Sequence, residues 1–158
     1  MLVFAGPDDN SMQQRLAGSA SQLGIAARVR FSGPLYGDDK WAAYRDADVF
    51  VLPSQNENFG NTAAEAAAAG TPVVVTEQCG IAPLVKDVAG LVVAHDETSV
   101  ANALERLLRD PQLHAEFVLG CAELTSRLSW EEPVSQMEEL YATLTTPPVS
   151  GVPFRSME

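Results

Sequence analysis

Short apolar runs alternate with longer stretches of helical period along most of this chain. Five runs, over residues 2–5, 29–31, 49–52, 73–75 and 91–93, read as strands. They are continuous rather than alternating, the pattern of parallel strands covered on both faces. Helical patterns fill the gaps, over 11–23, 38–46, 61–69, 99–108, 111 to about 126, and 131–144. Gly24 and Gly70 stand where helices end in a C′ glycine, and Asp110-Pro111 separates two helices. Such alternation implies right-handed crossovers and an α/β fold, a doubly wound, Rossmann-like parallel sheet of five or six strands with helices on both faces. Ligands of such sheets sit where strand ends turn into helices. The loops at 6–7, 33–34, 53–60 and 76–80 are therefore expected along one edge.

Composition narrows the classes. A chain of 158 residues, 46% hydrophobic and 20% charged, can bury a core and is globular rather than disordered. Its net charge of −11 argues against nucleic acid or an anionic membrane as main partner. Residues 1–145 read as one domain. Beyond them "TPPVSGVPFRSME", rich in Pro and without apolar period, reads as a loose C-terminal tail over 146–158. The chain opens directly in an apolar run, read as a buried strand, which suggests a piece of something longer. Cys79 and Cys121 fit no metal-like spacing and read as reduced thiols. His95 and His114 read as isolated surface or loop residues. With no signal peptide or membrane span, the expected location is cytoplasmic.

The densest chemistry lies in "PSQNENFGNTAAEAAAAGTPVVV", residues 53–75. Gly60 lets a ligand approach the backbone, and Asn61 or Thr62 can cap the helix that follows. That helix start offers free N–H groups and the positive end of a dipole, a site for phosphate or diphosphate. Carboxylates accept hydrogen bonds from paired hydroxyls, so Glu57 and Glu65 can hold sugars on either side of a diphosphate. Glutamate near a helix start is also ordinary dipole chemistry. What singles out Glu65 is its setting, an alanine-rich helix that packs closely, where a bare carboxylate is costly.

The same stretch resembles the glutamate–seven–glutamate signature of retaining GT-B glycosyltransferases, glycosyltransferase family 4 or group 1, with Ala67 where Met is usual. "VFAGPDD", "VRFSGPLYGDDKWAAYRDADVFVLPS", "GLVVAHDETSVANALERLLRDP" and "SWEE" follow in the family's order, so the similarity covers residues 1–144. It implies the nucleotide-sugar-binding half of a GT-B fold, with a nucleoside diphosphate sugar as donor, transfer with retention, no metal and no further cofactor. By resemblance Glu57 meets the donor sugar and counts as both catalytic and substrate-binding, while Glu65 binds the ribose. Asn58, Phe59, Gly60 and Asn61 lie along the sugar and phosphates, and Gly33, Pro34 and Leu35 contact the base.

Two departures stand out. The family's Gly-Arg motif and following Lys, which neutralise the leaving diphosphate, have no counterpart in this sequence, nor does the N-terminal acceptor-binding domain. The Gly-Gly-x-Pro-Glu loop of relatives appears as "CGIAPLV", with Pro83 in place of the acid and Gly80 kept. The isolated chain is therefore expected to be inactive. The alternatives are a GT-B-like nucleotide- or partner-binding module without transfer, and a nucleotide-sugar epimerase fragment, which fits the signature less well. The last helix carries Met137, Leu140, Tyr141 and Leu144 on one face. That stripe is expected to be partly exposed, or covered by a second copy in a non-native dimer.

Overall fold

The computed structural model describes residues 1–145; the expected tail over 146–158 lies outside the described residues. The order is β1 (Leu2–Ala5), α1 (Met12–Gln22), β2 (Val29–Gly33), α2 (Gly37–Arg45), β3 (Phe50–Leu52), α3 (Asn61–Ala68), β4 (Val73–Thr76), α4 (Ala82–Val85), β5 (Gly90–Val93), α5 (Glu97–Arg109), α6 (Pro111–Arg127) and α7 (Glu131–Thr145). Every strand expected from the apolar runs is present, and every ladder is parallel. The short helix α4 and the single 3-10 turns at Asp9–Ser11 and Ala26–Arg28 had no sequence signal, because one turn is too short to show a period.

One continuous sheet was expected, and the strands divide instead. β1 pairs with β2, while β3, β4 and β5 form a second ladder in that order. Among the described residues β1 has no neighbour on its other edge. That explains a second correction: Leu2 and Val3 are about half exposed rather than buried. Apolar residues read correctly as a strand, but burial depends on what lies beside it. Phe4 and Phe31, stacked at 5.3 Å, give the two-stranded ladder its main apolar contact.

The core belongs to the three-stranded sheet. β4 lies in its middle, with Val73, Val74 and Val75 all buried. One face of the sheet meets Ala63, Ala66 and Ala67 of α3, with Ile81, Val85, Cys121 and Leu124 closing the layer. On the other face Val74 and Leu91 pack with Ala103, Leu107 and Phe117 of α5 and α6. Methyl side chains alone allow α3 to fit between the sheet and α6, which accounts for its alanines. Both cysteines are buried and unpaired, and burial pushes the Cys121 thiol up to about 11. His114 is not a loop residue. It lies on α6, with Nε2 2.8 Å from the carbonyl oxygen of Asp48 just before β3.

Candidate crevice at the start of α3

The chain leaves β3 at Leu52 and reaches α3 through residues 53–60. This loop is not free. Thr76 Oγ1 donates to the Ser54 carbonyl at 2.5 Å, Glu57 N–H to Gln78, Gly80 N–H to Glu57, and Ile81 N–H to Phe59. Glu57 and Cys79 thus form a parallel bridge that lashes the loop after β3 to the loop after β4. Both loops lie at carboxyl strand ends, where ligands of parallel sheets are found.

Neither Asn61 nor Thr62 caps α3, contrary to expectation. The N-cap is Gly60, with φ +104, and no side chain caps the helix. A Cβ at Gly60 would also stand a tight 3.1 Å from Ile81 Cγ2, so the conformation calls for glycine and a larger residue would press on Ile81. Asn61 becomes the first helical residue, and the leading N–H groups of α3 remain open for a ligand.

The sites for the two glutamates differ. Glu57, in the loop, accepts only a long contact from the Phe59 N–H at 3.4 Å. Asn58 and Phe59 beside it are exposed. Glu65, on the second turn of α3, is half-buried and engaged at both oxygens. Lys40 Nζ lies 2.7 Å from Oε1, and Tyr44 donates its hydroxyl to Oε2 at 3.0 Å. Burial, then the hydrogen bond and charge of Glu65, push the Tyr44 phenol up to about 12. Tyr44 is itself fixed: its ring meets Trp41 and Phe50 edge-on, and its carbonyl accepts from Thr71 Oγ1 at 2.5 Å.

Sequence reasoning missed Lys40 and Tyr44. They lie 25 and 21 residues from Glu65, and only the packing of α2 on α3 brings them there. The turn at Gly33, Pro34 and Leu35 ends β2 and leads into α2, so the same helix joins it to Glu65. Gly33 accepts from the Gly6 N–H and helps line a cavity of about 160 Å³ with Phe4, Pro7, Met12 and Phe31. None of Glu57, Asn58, Phe59, Gly60, Asn61 or Glu65 lines that cavity, nor do Pro34 and Leu35. The expected site residues therefore fall into two groups, one around α3 and one at the end of β2. Among the described residues no group of three or more His, Cys, Asp or Glu is placed to hold a metal ion, and no helix is long and apolar enough to cross a membrane.

The profile of the family described as "Glycosyl transferases group 1" matches residues 1–119. A D-inositol 3-phosphate glycosyltransferase of Salinispora arenicola is 39% identical over 145 residues, taking in 89% of this chain and 32% of that protein. Sucrose-phosphate synthase of Thermosynechococcus elongatus matches with a TM-score of 0.75 at 32% identity, over 90% of this chain and 38% of that one. Anabaena Alr3699/HepE in complex with UDP matches at a TM-score of 0.78 and 23% identity, over 89% of this chain and 40% of that one, a likeness of fold. The chain spans about a third of the length of the curated relatives it matches. The α/β fold with parallel strands is the one these proteins share.

Proposed function

The chain belongs to the group 1 glycosyl transferases, and on that premise we propose that it binds the donor of a glycosyl transfer, a nucleoside diphosphate sugar. The observation that carries this reading is the junction at Gly60. An uncapped helix start stands between a loop carboxylate, Glu57, and a helix carboxylate, Glu65. The diphosphate sits at the open N–H groups of α3, where the helix dipole favours negative charge. Glu65 takes the ribose hydroxyls and Glu57 those of the sugar, while Asn58, Phe59, Gly60 and Asn61 line the sugar and phosphates. Gly33, Pro34 and Leu35 meet the base.

The transfer proposed is a retaining one, to an acceptor held by an N-terminal domain. Its catalysis is mainly positioning and stabilisation of the leaving diphosphate, whose growing charge the start of α3 partly offsets. The buried, unpaired thiols suit a reducing cytoplasm.

Ligand-observed NMR with UDP-, GDP- and ADP-sugars tests the reading. Saturation should pass from the protein to ribose and sugar protons of at least one donor, and Glu65→Ala should weaken that transfer. Silence from every nucleotide sugar would overturn it.

A further inference from the structure

The contact between Lys40 and Glu65 has a role beyond holding α2 to α3. We propose that Lys40 is a positioning residue for ribose recognition, acting through Glu65. The inference rests on the reading of Glu65 as the ribose ligand, and adds what makes that carboxylate able to bind.

A carboxylate has two acceptor sites on each oxygen. Lys40 occupies one on Oε1 and Tyr44 one on Oε2, which leaves one on each for a pair of neighbouring hydroxyls. Held at both oxygens, the carboxylate cannot spin about its terminal bond, a motion that is otherwise broad. Tyr44 supplies orientation but no charge. Among the described residues the only cation within ion-pair distance of Glu65 is Lys40. Both side chains keep 31% of their surface exposed, so the pair stays accessible to a ligand. The ammonium holds Oε1 by a charge-assisted hydrogen bond, stronger than the neutral one that Tyr44 donates to Oε2. The ammonium also lies 5.4 Å from the Trp41 ring centroid, a second contact that keeps it in place. Lys40 thus holds Glu65 turned so that its two free acceptor sites serve a cis-diol.

The test compares the 158-residue protein with its Lys40→Met and Lys40→Arg variants. UDP, GDP and ADP are titrated, each beside its 2′,3′-dideoxy counterpart, by calorimetry or ligand-observed NMR. The wild type should prefer the ribose form of whichever nucleotide binds. Lys40→Met should lose about tenfold in affinity for that form while changing the dideoxy form less than twofold. Lys40→Arg should recover most of the loss, and thermal unfolding of both variants checks that they fold. If Lys40→Met keeps the wild-type preference, or binds the ribose form more tightly, Lys40 does not position Glu65 and the inference falls. Equal binding of ribose and dideoxy forms by the wild type, or no nucleotide binding at all, would remove the reading of Glu65 itself, and the inference with it.

Discussion

Gly80 lies so close to Asn58 that a Cβ built on it would stand 2.0 Å from the Asn58 carbonyl oxygen. The obstacle is backbone, so it cannot swing away as a side chain would. Gly80→Ala should therefore push residues 57–60 off the loop after β4, at a cost of about 1–3 kcal/mol in stability. Donor affinity should drop by more than the stability loss accounts for, because the displaced segment carries Glu57 and ends at the start of α3. Calorimetric binding and a urea unfolding curve on the same preparation check this. Unchanged affinity would detach the loop from the binding site.

Glu57 and Glu65 should respond differently to the same substitution. Glu65→Ala should weaken nucleotide and nucleotide sugar alike, by about 1–3 kcal/mol for the lost charge-assisted contact. Glu57→Ala should weaken the nucleotide sugar and leave the bare nucleotide nearly untouched. The measurement is the ratio of the two affinities for each variant. Equal losses in Glu57→Ala would show that this carboxylate does not meet the sugar.

Tyr44 links the site to alkaline stability. Its folded phenol is pushed up to about 12 from the ordinary value of 10.0. The folded state therefore holds its proton where the unfolded chain has released it. That stability is fully present below pH 10 and is lost as pH rises through the window from 10 to 12. Tyr44→Phe should unfold less steeply with pH across that window, by about one proton in the slope, and should lose about 1 kcal/mol at neutral pH with its hydrogen bond. Matching slopes in both proteins would place the ionisation elsewhere.

The last helix presents Met137, Leu140, Tyr141 and Leu144 about half exposed or more, with Val134 at the near end of the stripe and Trp130 just before α7. Such a contiguous apolar face on a small chain favours self-association. Light scattering coupled to gel filtration should show a concentration-dependent dimer, and a Leu140→Glu, Tyr141→Glu double variant should return it to monomer. A dimer that survives the double variant would require a different contact face.

How far the sequence could be read varies with the range of the interactions involved. β4 and α3 were legible because their burial is written locally, in Val73, Val74 and Val75 and in alanines at helical spacing. Glu57 and Glu65 stood out for the same reason. The division into two sheets was not legible, since an apolar run such as that at Leu2 and Val3 gives no sign of which edges will be paired. Gly60 rather than Asn61 became the cap because the chain enters α3 through a left-handed turn, which glycine adopts without strain. Lys40 looked like one more polar residue on α2. Only helix packing turned it towards Glu65.

The split between the ladders bears on how evenly the chain holds together. No hydrogen-bonded strand pair joins β1 and β2 to β3, β4 and β5 among the described residues. The apolar mass lies with the second group, so the two halves need not open together. Amides of β4 would then exchange with solvent only when the whole chain unfolds, while those of β1 and β2 exchange through a cheaper, partial opening. Between the halves runs α2, held to α3 by Tyr44 and Trp41 in the core and by the carboxylate of Glu65. A ligand gripping that carboxylate and the turn at Gly33 together would slow exchange in β2, a strand it barely touches.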